Sequence, residues 1–384
     1  GGGGIDIEAT DGKGRTAFEL ALGAGHTNVL KILNELRARA SIKIYATTWN
    51  CNAAKNPDHL MISALLSGGL EAGDHIEQYG MYIIALQETV ELNVSSVLKN
   101  KDISLAWEQP ILHKLNESRA EKLPKFQLVV KKHLVGMLLL IFALEPIRVL
   151  ISNIQLFKIG VGAGKTIGVG GNKGAVAARF RFWGRNIMVL NCHLPAHQKA
   201  LKDRNSALAQ IWKKLNVMSP DSKDQVVLCL GDFNYRLTYN IKEFKQVEGL
   251  IHNHQIGSLL ENEQLLQERK QGKVLQGFQE GKISFLPTFK LEIGSSKYNN
   301  KRVPAYCDRI LWSNDTKVSL VQQHWYRCLE RIVSSDHKPV SSKFEIDLYP
   351  SESKHLETSS KSGSLTSPID HSYSEIKLDS TSTP

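Results

Sequence analysis

Four apolar runs in this chain each stop on a polar side chain, and that recurrence restricts the possible folds more than any other feature. The run from Val226 to Leu230 reads as a buried strand. Gly231 breaks it, and Asp232 and Asn234 then emerge one residue apart in Gly231-Asp232-Phe233-Asn234-Tyr235-Arg236-Leu237. Side chains two apart in an extended segment point the same way, so a carboxylate and a carboxamide face one spot at a strand end. The carboxylate can take a proton from water while the amide fixes that water or a neighbouring phosphate oxygen. Taken alone, the same residues suit an Asx turn that closes a strand equally well.

The other three runs supply partners. Ile42 to Asn50 alternates like a strand and ends on Asn50, and Met81 to Glu88 is a buried strand ending on Glu88. An amide oxygen and a carboxylate are hard ligands, suited to Mg²⁺ with water in the remaining positions. Arg185 to Asn191 runs into Cys192-His193-Leu194-Pro195-Ala196-His197. His193 at that strand end can donate to a phosphate oxygen, while His197 either supports it or caps the helix running through Arg204 to Leu215. Lys131 to Ile141 and Arg148 to Phe157 continue the strand pattern, 238 to 280 reads as helices with polar faces such as Glu261 to Arg269, and Ser342 to Leu348 is the last strand. The stretch from Gly160 to Thr166 imitates a phosphate-binding loop, but Ile159 stands where the motif needs glycine and no helix follows.

Composition narrows the partners. A net charge of +10 over 384 residues points to an anionic one: phosphate-rich substrate, membrane surface or nucleic acid. Between 281 and 312 there are six Lys or Arg (282, 290, 297, 301, 302, 309) against Glu292 and Asp308, a cationic approach suited to a polyanion. Five scattered cysteines without framework spacing suggest reduced thiols in the cytosol. No secretory leader opens the chain, and its longest apolar run, Leu134 to Leu144, is too short to cross a bilayer, so a soluble protein is expected. Residues 1–40 resemble a single ankyrin repeat, with Thr16 and Glu19 as a capping box. One repeat cannot bury its own face, so this segment reads as the end of a longer array with a protein partner of its own. Beyond Pro350, 15 of 34 residues are Ser or Thr, which predicts a disordered tail.

Seven segments carry a resemblance: Thr48-Trp49-Asn50, Leu86-Gln87-Glu88, Gly171-Asn172-Lys173-Gly174, Cys192 to His197, Gly231 to Arg236, Pro304-Ala305-Tyr306-Cys307-Asp308-Arg309 and Ser335-Asp336-His337-Lys338-Pro339. In this order they resemble the inositol polyphosphate 5-phosphatases, of the type II, lipid-hydrolysing kind, over about 41 to 349. The resemblance implies a four-layered α/β sandwich of the deoxyribonuclease-I-like type for residues 41–350. It also implies a monomeric, cytoplasmic, peripherally membrane-associated enzyme that removes the 5-phosphate from phosphoinositides, phosphatidylinositol 4,5-bisphosphate first among them, or from 3,4,5-trisphosphorylated lipid or soluble inositol phosphates. On the residues that match, Asn50, Glu88 and Asp336 belong to the Mg²⁺ site and Asp232 is the base, with Asn234 orienting. Asp308 pairs with His337 against the scissile phosphate. His193, Asn172, Lys173, His197 and Arg309 belong to the phosphate pocket, and Lys290, Lys301 and Arg302 to the neighbouring phosphate.

Two departures stand out. Phe289 occupies a place where the family usually has Tyr, and Asn300 one where it usually has Lys, with Lys301 adjacent; both put affinity for a 4-phosphate in question. Two alternatives differ in kind. A nucleic-acid phosphodiesterase of the same fold would share Gly231-Asp232 and Ser335-Asp336-His337, but not the Pro304 to Arg309 segment with Lys290 and Arg302, so no nucleic-acid partner is expected. A non-catalytic ankyrin-type scaffold would have lost a base or metal residue, and none is lost.

Overall fold

The computed structural model describes residues 41–53, 57–67, 79–90, 104–117, 119–161, 173–182, 185–218, 225–314 and 321–347. The ankyrin-like segment, Asn172, most of the Gly160 to Thr166 stretch and the Ser/Thr tail therefore lie outside the described residues. All described residues fall within the unit 1–350, and the separate unit 351–384 is not described.

Among the described residues, twelve strands make two six-stranded sheets. In the first, β11 (Val321–Cys328), β12 (Val340–Asp347), β1 (Ser41–Asn50), β2 (Met81–Gln87), β4 (Met137–Leu144) and β3 (Phe126–Leu134) lie in that order. In the second the order is β5 (Ile151–Gly160), β6 (Gly174–Phe182), β7 (Arg185–His193), β8 (Gln225–Asp232), β10 (Asp308–Asn314) and β9 (Gln279–Glu280). Each sheet has a parallel pair at its centre, β1 with β2 and β7 with β8, flanked by antiparallel neighbours.

Period-two patterning makes the layers. Ile44 and Ala46 of β1 and Leu228 and Leu230 of β8 face each other's sheet in one shared core. Their neighbours face outward instead. Tyr45 and Trp49 pack on α1 (His59–Ser67) and α2 (Ser104–Glu117) through Ile62, Leu65, Trp107 and Ile111. Val227 and Cys229 pack on α4 (Leu201–Met218), which follows the four-residue α3 (Glu145–Arg148), through Leu208, Ile211 and Leu215. The result is helix, sheet, sheet, helix. Both sheet faces are buried, so the central strands are continuously apolar rather than half polar, and each buried Val, Leu or Ile contributes about 1.5–3 kcal/mol of transfer free energy.

Local boundaries differ from the pattern at three places. Lys131 to Ile141 is not one strand but the hairpin of β3 and β4, turning at Val135 and Gly136, both at positive φ. Apolar residues on both sides of that turn conceal it. Arg148 ends α3 rather than opening a strand. Glu261 closes α6 (Ile256–Glu261), which follows α5 (Phe244–His252), and Glu263 caps α7 (Gln264–Lys270) by accepting from the Leu266 amide at 2.8 Å. In the half-exposed edge strand β11 the polar run Gln322-Gln323-His324 interrupts the apolar residues, so the apolar pattern does not reveal it.

Candidate active site

The topology delivers the C-terminal ends of β1, β2, β7 and β8 and the N-terminal ends of β10 and β12 to one rim. His193 pairs across with Asp232 in parallel register, and Asp232 with Asp308 in antiparallel register. At Gly231 φ is +147°, and a Cβ there would lie 2.0 Å from the Cys192 carbonyl oxygen. Only glycine lets β8 approach β7 so closely just before Asp232.

Asp232 is 1 % exposed and held on both oxygens. Its Oδ2 accepts from Asn50 Nδ2 at 3.0 Å and from Asn234 Nδ2 at 2.9 Å, and its Oδ1 from the Asn234 backbone N–H at 2.9 Å. Burial alone would raise its pKa. The His193 hydrogen bond and the charges of His337, His193 and Lys173 outweigh burial and hold it far below the usual carboxylate range. It is therefore an anion that keeps its charge out of water.

His337 faces it from the other sheet. Its Nδ1 lies 2.9 Å from Asp308 Oδ2, which also accepts from Thr288 Oγ1 at 2.7 Å. The backbone around His337 is tied to β1: Trp49 Nε1 donates to the His337 carbonyl at 3.1 Å, and Ser335 Oγ to the Asn50 carbonyl at 2.8 Å. Burial works against a charged imidazole, but the charge and hydrogen bond of Asp308, then Asp232 and Asp336, push its pKa up from 6.5 to about 9. At neutral pH it is an imidazolium.

Glu88 follows β2 at φ +49° and sets Oε1 3.4 Å from His193 Nε2, which is itself 3.5 Å from Asp232 Oδ2. Burial opposes its ionisation, yet the His193 hydrogen bond and the charges of His193 and Lys173 bring it to about 2. Lys173 Nζ touches His193 Nε2; burial lowers its pKa, and Asp232 and Glu88 offset part of that. Among the described residues, Asp232, Asp308 and His337 form one group whose ligand atoms all lie within 4.8 Å of one another.

Not every expected residue joins this cluster. Asp336 pairs with Lys290 at 2.6 Å instead of facing Glu88 and Asn50, because the Leu291 N–H bond to the Asp336 carbonyl sets their segments side by side. Arg309 is turned to the opposite side of β10 from Asp308, as adjacent strand residues must be. It is fully buried between Glu280, at 2.6 Å from Nε, and Glu263, at 3.1 Å from Nη1, with no face left for a phosphate. His197 is exposed, and its carbonyl rather than its ring supports the start of α4 by accepting from Arg204 at 2.8 Å. Lys301 and Arg302 are exposed on the loop that follows Tyr298. Three further residues support the site. Thr288 holds Asp308, Arg236 contacts Asn234 and the Phe289 ring, and Gln87 donates across the sheets to Asn191 at 2.7 Å, beneath Glu88 and His193.

A buried carboxylate facing a buried imidazolium, with oxygen donors alongside, can activate water against an anionic ester. The sequence matches endonuclease/exonuclease/phosphatase family 2 over residues 47–343, and the chain belongs to that family. Within it, the chain is 31% identical over 331 residues to synaptojanin from Caenorhabditis elegans, a match covering 82% of this chain and 28% of that protein. It is 32% identical to the human phosphatidylinositol 4,5-bisphosphate 5-phosphatase A, over 79% of this chain and 30% of that protein. The chain thus spans under a third of the length of these relatives. Its fold is similar to the crystal structure of the inositol polyphosphate 5-phosphatase domain of SPsynaptojanin in complex with inositol (1,4)-bisphosphate and calcium ion, with TM-score 0.65 and 25% identity over 84% of this chain and 90% of that one. Among the described residues no helix is long and apolar enough to cross a membrane.

Proposed function

We propose that this rim hydrolyses the 5-phosphate of phosphoinositides, converting phosphatidylinositol 4,5-bisphosphate into phosphatidylinositol 4-phosphate and phosphate. The observation that carries this reading is the buried pair of opposite charges, Asp232 and His337, brought together from two sheets in a chain similar to 5-phosphatases. Asp232 accepts the proton of the attacking water, and Asn234 holds the Asp232 carboxylate in place. His337, kept cationic by Asp308, donates to the phosphoryl oxygens, and Lys173 adds positive charge on the other side.

The donors Asn50 and Glu88 fit a hard divalent cation: both are oxygen ligands, and Glu88 and Asp232 are ionised with an oxygen within 3.5 Å of the same His193 atom. Mg²⁺ held there would offset charge on the phosphoryl oxygens. Asp336, paired with Lys290, is left out of that set. The membrane surface as the place of action rests on the net charge of +10, and a protein partner on the ankyrin-like segment. The catalytic unit is residues 41–350.

Phosphate release from vesicles bearing phosphatidylinositol 4,5-bisphosphate, 5-phosphate or 4-phosphate tests the reading, with single-stranded DNA as a control. Release is expected from the two 5-phosphorylated lipids, abolished by EDTA and restored by Mg²⁺. A folded protein that spares both lipids, or cuts only DNA, overturns it.

A further inference from the structure

Asn234 sits at φ +56° with its side chain buried, and every polar atom of that side chain is engaged. Nδ2 donates to Asp232 Oδ2 at 2.9 Å and to the Leu194 carbonyl at 3.1 Å. Oδ1 accepts from Arg236 Nη2, and the Asn234 carbonyl accepts from Arg236 Nε at 3.1 Å. A guanidinium is donor-only, so only the oxygen of the amide can face it. A reversed amide would set its NH₂ against the guanidinium and its oxygen against the Asp232 carboxylate and the Leu194 carbonyl, three repulsive contacts in place of three hydrogen bonds. Arg236 is 5 % exposed, and its guanidinium lies 4.5 Å from the centre of the Phe289 ring, which also meets His337 at 4.6 Å between ring centres. The ring keeps water off the cation and holds it against Asn234.

The consequence falls on Asp232. Each carboxylate oxygen has two lone pairs. Those of Oδ2 are taken by the Asn50 and Asn234 amides, with His193 Nε2 a further neighbour at 3.5 Å, whereas Oδ1 spends one on the Asn234 N–H and has one left. We propose that Arg236, clamped under Phe289, is a positioning residue that fixes the Asn234 amide and thereby leaves Asp232 Oδ1 as the oxygen that takes the proton from water. The proposal rests on the 5-phosphatase reading for its kinetic consequence, but not for the amide geometry itself.

Two measurements test it on the full chain. In kinetics on phosphatidylinositol 4,5-bisphosphate vesicles, Arg236→Met lowers kcat by about 10²-fold with KM nearly unchanged. Arg236→Lys, still donor-only, recovers most of that loss. In an Asn234→Ala background Arg236→Met has no further effect on kcat, since its partner is gone. Full additivity of the two substitutions overturns the proposal, because a purely structural role would add. The second measurement needs no activity. With asparagine selectively ¹⁵N-labelled, the side-chain NH₂ pair missing from Asn234→Ala shifts in Arg236→Met and returns toward its place in Arg236→Lys. An unmoved Asn234 pair overturns the proposal. Should the Met variant unfold, Arg236→Lys and Arg236→Gln give the same reading, Lys leaving the pair nearly in place and Gln displacing it. Failure of the unmodified chain to release phosphate overturns the 5-phosphatase reading alone, and the amide signals still decide this one.

Discussion

Two charged regions meet at the rim, and they are built in opposite ways. Around Asp232 the polar side chains come from both sheets, Asn50 and His337 from the first and His193, Asp232 and Asp308 from the second, and all are below 5 % exposure. Their bonds span large separations in sequence, so the fold holds them before any substrate arrives. The cationic segment from Lys290 to Arg302 is one loop bonded largely to itself: Asn299 N–H to the Lys290 carbonyl at 2.8 Å, Arg302 Nη1 to the Lys301 carbonyl at 3.2 Å. Charge in the first region acts through a low-dielectric interior, while in the second water and salt screen it. Equal formal charges there have unequal consequences, and substitutions should reveal the difference.

The largest effect belongs to Asp232→Asn. The amide keeps the shape and can still accept from Asn50 and Asn234, but cannot take a proton. Turnover should fall by about 10² to 10⁴, with the circular dichroism of the folded chain retained. A variant that releases phosphate at the unmodified rate removes Asp232 from the chemistry.

A pH series is the second probe. With its folded pKa raised from 6.5 to about 9, His337 contributes stability that is fully present below about 6.5 and lost as pH rises through about 9. Activity that needs the imidazolium should fall over the same alkaline limb. Asp308→Asn removes the main attraction on the imidazolium, so the limb in kcat/KM should move toward neutrality. An alkaline limb that stays in place would mean another group sets it.

What could be read beforehand follows the same division. Strand ends carrying Asn50, Glu88, His193 and Asp232 were legible because an apolar run broken by one polar residue is a local signal, and the family motifs placed Asp308 and His337. The resemblance puts Arg309 in the phosphate pocket, whereas strand alternation turns it away from Asp308 onto Glu263 and Glu280, partners too far off in sequence to be anticipated. The Lys290–Asp336 pair spans 46 residues, and no periodicity announces it. Arg236 lies within the Gly231 to Arg236 segment, but the Phe289 ring it meets is more than 50 positions onward.

The smallest effect tests the exposed side of the rim. A charge-assisted hydrogen bond from Lys290 to a phosphate next to the scissile one would be worth about 1.5 to 3 kcal/mol if the ammonium stood alone. Its side chain is 33% exposed and already paired with Asp336, so solvent and the carboxylate both reduce that value. Lys290→Ala should therefore lower the kcat/KM preference for the 4,5-bisphosphate over the 5-monophosphate by roughly fivefold, about 1 kcal/mol. Asp336→Asn should do the reverse, since it frees the ammonium for substrate. Phe289→Tyr should widen the preference by a hydrogen bond worth about 0.5 to 1.5 kcal/mol. Lys301→Ala, on an exposed residue, should leave the ratio nearly unmoved. A ratio indifferent to Lys290→Ala would make the whole segment a solvated loop and take the 4-phosphate out of recognition; a drop of a hundredfold would mean that the Asp336 pair opens when substrate binds and that the two regions act as one.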